Sequence, residues 1–152
     1  MFTCLNIIKK INDENLALSY NNIAGIYMYL KDYKSAIKYC SIGKELSYED
    51  KFTYSLICNN IGKMYKEEKA FNKALKFCME GLNVRLEEYG EKNLLTGESY
   101  ICIGEIYYSL KDYVKALDFF KKALEIEKEH EKSTIVSELN ENIRNIYNKQ
   151  IN

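Results

Sequence analysis

The chain contains no proline. No ring forces a helix to break, so glycine and polar runs must do the punctuation. Net charge is also absent: Lys plus Arg and Asp plus Glu number 22 each, and no global field draws the chain to nucleic acid or an anionic membrane. No run approaches the roughly 20 apolar residues of a membrane span. The start, MFTCLNIIKKI, has no basic segment ahead of its short apolar run, so no secretory signal is expected there.

Chemistry-bearing motifs are missing too. The five cysteines (Cys4, Cys40, Cys58, Cys78, Cys102) are odd in number and hold no C-x-x-C pair. Reduced thiols in a cytoplasmic protein are expected, not a disulfide framework. His130 is the single histidine, in a polar stretch between Glu129 and Glu131. Without a second His or clustered Cys, no metal site is expected. The phosphate-binding patterns G-x-x-x-x-G-K-[ST] and G-x-G-x-x-G and the nucleophile pattern G-x-S-x-G do not occur. Acidic pairs such as Glu67-Glu68 and Glu87-Glu88 fall at helix ends, where solvation explains them. We expect no cofactor, no catalytic residue and no enzyme.

What is present is one pattern written three times: a small residue, a tyrosine three on, an aromatic nine on and an alanine twelve on. It reads Ala24-Tyr27-Tyr33-Ala36, Gly62-Tyr65-Phe71-Ala74 and Gly104-Tyr107-Tyr113-Ala116. The spacings between copies are 38 and 42 residues, and a degraded fourth copy spans Glu138 to Tyr147 with Arg144 at the small position. A unit of this kind cannot bury its apolar face alone and must stack on neighbours. Composition agrees: 47% apolar and 29% charged residues are ordinary for a folded chain and argue against disorder.

Each unit divides into two helical patterns. In the third, Tyr100, Ile103, Tyr107 and Leu110 recur at helical spacing, then Tyr113, Ala116, Leu117, Phe120, Ala123 and Leu124. A connection of about two residues forces the pair antiparallel. Small residues on both sides (Ala24, Gly62, Gly104 against Ala36, Ala74, Ala116) let the backbones approach, which explains glycine in mid-helix. The pattern predicts helix pairs at 16–30 with 33–47, 53–67 with 70–88, and 96–110 with 113–130, then a lone helix at 134–149. The expected division is an N-terminal remnant or cap helix (1–13), repeats at 17–50, 53–92 and 95–132, and a capping helix. Residues 6–11 match the tail of a second helix, which suggests part of a longer array or a short cap.

These residues resemble the tetratricopeptide repeat, a helix-turn-helix unit of about 34 residues. The Asn21-Asn22-Ile23-Ala24 and Asn59-Asn60-Ile61-Gly62 runs and the 42-residue spacing are similar to the longer repeats of kinesin light chains. The third unit departs from them, with Ile101-Cys102 in place of the Asn pair. The resemblance implies an all-α right-handed α-solenoid of three antiparallel pairs and a C-terminal capping helix. It further implies a non-enzymatic scaffold that holds an extended peptide or partner helix in a concave groove lined by the first helices.

Groove candidates follow from that implied geometry. Asn22, Asn60, Cys102 and Asn142 stand in register, and carboxamides there can clamp a peptide backbone as donor and acceptor together. Asn21, Asn59, Lys63, Lys66 and Glu105 are expected to add selectivity. The carboxylate clamp of chaperone-binding relatives would fall on Asn21, Gly25, Asn60, Glu98 and Cys102; only Asn60 matches, so that clamp is not expected. Tyr27, Tyr65, Tyr107 and Tyr147, like Tyr33, Phe71 and Tyr113, are expected as core residues and not base-stacking platforms. Cys40 and Cys78 match Phe120 in register and are expected as core fillers. Expected partners are a protein or peptide, with no nucleic acid and no membrane. Two other readings stand beside this: a peptide-sensing module like Gram-positive pheromone receptors, and an array that self-associates through its N-terminal edge.

Overall fold

The computed structural model describes the backbone of residues 2–130 and 133–151, and the side chains of 12, 13, 15–130 and 134–149. Within them the chain is all helix: α1 (Phe2–Tyr29), α2 (Tyr33–Leu46), α3 (Lys51–Glu67), α4 (Phe71–Tyr89), α5 (Leu94–Ser109), α6 (Tyr113–Glu129) and α7 (Ser133–Ile151). It is an all-α helical solenoid of repeated antiparallel pairs. Two compact units divide it, Met1–Gly81 and Leu82–Asn152, with the boundary inside α4.

Each pair turns in the same way. Lys31, Lys69 and Lys111 take the left-handed conformation, at φ 60°, 59° and 63°. The next N–H reaches back five residues (Asp32 to Tyr27, Ala70 to Tyr65, Asp112 to Tyr107, each 2.9 Å), while each lysine N–H bonds three back. This double closure consumes carbonyls that the ending helix would leave unpaired. The following helix starts at once: Asp32 accepts from the Ser35 N–H and Asp112 from the Lys115 N–H, both at 3.2 Å. The Lys-Asp turns at 31 and 111 carry a capping aspartate, but the third, Lys69-Ala70, has alanine at that position and no capping side chain. Ala70→Asp should therefore stabilise residues 1–81 by about 1 kcal/mol. An unchanged or lowered urea midpoint would count against that cap.

In residues 1–81, α2 packs antiparallel on α1 and α3 packs on both. The small residues close the pairs as expected, and at a second crossing as well. A Cβ on Gly62 would stand 2.2 Å from Cys78 Sγ and 3.2 Å from the Ala74 carbonyl. One on Gly43 would stand 2.9 Å from the Ala17 carbonyl, and one on Gly81 3.0 Å from that of Ser55. The core joins Ala24, Ala36 and Cys40 to Ile57, Ile61 and Met64, with Tyr27 and Tyr33 packed against it.

In residues 82–152, α5 pairs with α6 and α6 with α7. A Cβ on Gly104 would meet the Phe120 ring at 2.7 Å. The repeat tyrosines stack on a second-helix aromatic in every pair: Tyr27 on Tyr39 at 5.3 Å, Tyr65 on Phe77 and Tyr107 on Phe119 at 5.7 Å, with planes 13–16° apart. Tyr147 lacks such a partner among the described residues and is half exposed. Cys40, Cys58, Cys78 and Cys102 are buried and form no disulfide, and burial pushes the Cys40 thiol up to about 12.

One expectation is corrected. Residues 6–11 are not a separate remnant helix: α1 runs unbroken for 28 residues from Phe2. No proline or glycine interrupts the chain before Gly25, so nothing ends the helix between its two halves.

Candidate functional site

Asparagine doublets on α1 and α3 open the predicted face. Adjacent residues on a helix point about 100° apart, so a doublet cannot place both amides alike. On α1, Asn22 is exposed and its side chain makes no hydrogen bond to the described residues, whereas Asn21 is half-buried. On α3 the order reverses: Asn60 is half-buried, and Asn59 is 2% exposed beneath Gly81, where a Cβ would come within 3.0 Å of Asn59 Oδ1. Asn59 is therefore a packing residue, a correction to the predicted contact set.

The half-buried pair is joined. Asn60 Nδ2 donates to Asn21 Oδ1 at 2.9 Å, and Cys40 Sγ lies 3.9 Å from the same oxygen. This clasp ties α1 to α3 and leaves one amide donor, Asn21 Nδ2, and one acceptor, Asn60 Oδ1, on neighbouring helices. Sequence register pairs Asn22 with Asn60, and it missed the diagonal partner Asn21. Lys63 is exposed nearby on α3, and half-buried Lys66 lies 3.6 Å from the Glu67 carboxylate.

In residues 82–152, Glu105 on α5 and Asn142 on α7 are half-buried, while Cys102 is wholly buried and presents nothing. Glu98 pairs with Arg85 at 3.5 Å, so two of the residues matched to a carboxylate clamp are committed to other tasks. Lys149 sits 4.6 Å over the Tyr108 ring, tying α7 to α5.

A second feature of residues 1–81 left no mark in the sequence. Ser41, Lys44, Glu45, Tyr48, Tyr54 and Phe77 line a cleft of about 480 Å³ on α2–α4. The Lys44 ammonium lies 2.6 Å from Glu80 and 5.1 Å from both the Tyr54 and Phe77 rings, and Tyr54 donates to Glu80. Burial alone would raise the Glu80 carboxyl, but bonds from Lys44 and Tyr54 outweigh it and hold it below the usual range. Burial, followed by the bond to Glu80, pushes the Tyr54 hydroxyl up to about 12. The three partners come from three helices at unrelated spacings, so only packing brings them together. Among the described residues there is no metal-holding cluster of His, Cys, Asp and Glu.

Helix pairs closed in register by small residues define an α-helical repeat protein. The tetratricopeptide repeat model matches residues 54–129 and a second one matches 17–41, so the chain belongs to the tetratricopeptide repeat family. Among solved structures it is similar to BtubC (BKLC) from P. vanneervenii, at 22% identity and TM-score 0.83, over 90% of this chain and 57% of that one. The apo form of RapI matches at 20% identity and TM-score 0.82, over 90% of this chain and 50% of RapI. The chain thus spans about half the length of these two proteins. The first such domain of Spaghetti (RPAP3), bound to the HSP90 peptide SRMEEVD, matches at 16% identity and TM-score 0.72, over 91% and 96% of the two chains. At these identities the likeness concerns the fold. No match was found among curated proteins. No helix among the described residues is long and apolar enough to cross a membrane.

Proposed function

We propose that this chain is a non-enzymatic interaction scaffold that holds an extended peptide or partner helix on its first-helix faces. The observation that carries the reading is the Asn21–Asn60 clasp beside exposed Asn22. A peptide backbone offers an alternating donor and acceptor, and the clasp leaves an acceptor and a donor already fixed on two helices. Because the clasp holds both amides before binding, little side-chain entropy is left to lose on capture. Lys63 and Lys66 add positive charge beside it and favour an acidic segment. In residues 82–152, Glu105 and Asn142 supply the corresponding positions on α5 and α7.

Repeats at 17–50, 53–92 and 95–132 carry the scaffold, with 134–149 as its cap. The Asn doublets favour a repeat of the kinesin-light-chain type. The buried cysteines, none of them in a disulfide among the described residues, suit a cytoplasmic setting. Peptide-bound relatives such as the Spaghetti (RPAP3) domain support the reading at the level of fold. The chaperone clamp itself is disfavoured, because Glu98 and Cys102 stand where that clamp needs exposed cations.

Selection of binders from a displayed random-peptide library, followed by titration, tests this. Asn22→Ala with Asn60→Ala should weaken a selected peptide by about tenfold or more, which corresponds to about 1.4 kcal/mol. The melting midpoint should be matched first, since Asn60→Ala also opens the clasp. Unchanged affinity in a stably folded double variant would remove the asparagines from the site.

A further inference from the structure

The outer face of α1 carries an apolar stripe at alternating steps of three and four: Leu16, Ser19, Ile23, Ile26 and Leu30. Leu30 lies just past α1, but its N–H still bonds to the Ile26 carbonyl at 3.0 Å. Leu16, Ile23, Ile26 and Leu30 are 45%, 37%, 62% and 64% exposed. The three central positions, those of Ser19, Ile23 and Ile26, are covered in later first helices, whereas the counterparts of Leu30, Glu68 and Leu110, are exposed. On α3 they are Ile57, Ile61 and Met64, each at most 1% exposed and seated on the α1–α2 pair. On α5 they are Ser99, Ile103 and Ile106, all buried, and on α7 buried Leu139 and Ile146 with half-buried Ile143 between them. Among the described residues the centre of this stripe is therefore covered on α3 and α5 and mostly covered on α7, whereas on α1 it is open.

We infer that a second copy of this chain covers the stripe, α1 against α1, antiparallel about a two-fold axis between Ile23 and Ile26. Alternating three-and-four spacing is what lets side chains of one helix enter the holes of another. In this register Ile23 meets Ile26 of the partner copy, and Leu30 fills the space over the small Ser19. Charge selects a copy as the occupant. Residues 15–30 contain no Asp, Glu, Lys or Arg, so two identical faces meet without repulsion. A foreign helix would have to match an uncharged face with no steering from its centre.

Sedimentation equilibrium on the chain, from about 1 to about 300 µM, is the test, a range that brackets a small interface between stable folded protomers. The mass should rise from 17.9 kDa toward twice that value. Ile26→Glu should weaken dimerisation at least tenfold, with the circular dichroism and dilute-solution melting midpoint unchanged because the side chain is mostly in solvent. In a Cys4→Ser background, Ser19→Cys mixed with Leu30→Cys should form a disulfide between copies, while Ser19→Cys alone should not. A one-chain mass over the whole range would overturn the inference and assign the stripe to a different helix. Equal dimerisation of Ile26→Glu would overturn it too, as would a mass growing past two chains, the sign of head-to-tail stacking.

Discussion

Arg85→Ala should lower the stability of residues 82–152 by about 3 kcal/mol, from a lost side-chain volume and lost hydrogen bonds. The Arg85 side chain is 1% exposed. Its guanidinium donates to the Leu95 carbonyl and to Ser99 Oγ at 3.1 Å, and faces Glu98 at 3.5 Å. Burial lowers its pKa, and the Glu98 charge works against that lowering, so the group stays a cation whose desolvation is offset by its partners. Glu98 is half exposed and regains water when the arginine is removed, so most of the loss comes from the carbonyl, the hydroxyl and the void. Arg85→Met keeps much of the volume and should cost about half as much. Urea unfolding of the three proteins measures this. If the alanine variant unfolds at the wild-type midpoint, the guanidinium is not tying α4 to α5.

Gly104→Ala should cost about 2 kcal/mol, although alanine is the better helix former by about 1 kcal/mol. The new methyl would stand 2.7 Å from two Phe120 ring carbons, and Phe120 is 1% exposed with no free space to turn into. The first repeat shows the alternative solution, since Ala24 and Cys40 occupy the same two positions and both are buried. Phe120→Cys alone should cost about 3 kcal/mol as a cavity. Combined with Gly104→Ala, it should cost at least 1 kcal/mol less than the sum, because the methyl then occupies vacated volume. Strictly additive losses would mean that the two positions are not a matched pair.

Much of the fold was legible because the period is a property of spacing alone. Ala24, Gly62 and Gly104 mark where two helices must approach, and the contacts at Gly62 and Gly104 leave no room for a methyl group. The turns at Lys31-Asp32 and Lys111-Asp112 were legible through their capping aspartates, whereas the one at Lys69-Ala70 was placed by helical spacing alone, because its closure is made by backbone atoms. The candidate site was legible only in part. Asparagine doublets pointed to α1 and α3, but register could not tell which member of each doublet faces outward. That choice rests on rotations of about 100° per residue, and it buried Asn59 while joining Asn21 to Asn60.

The sequence by itself determined the repeat, the antiparallel pairs, the small residues at which each pair closes and the family. All of these are one-dimensional: they depend on spacing along the chain and on the volume of single side chains. The tertiary structure alone decided which polar groups went inside. Ser47, Arg85 and Glu127 share one register position and are all buried, yet each differs in charge and looks solvent-facing in its local sequence. Whether such a group is covered depends on the neighbours stacked over it, as does the difference between open Ile26 and closed Met64 at one repeat position. Stacking is a property of three dimensions, and no pattern along the chain records it.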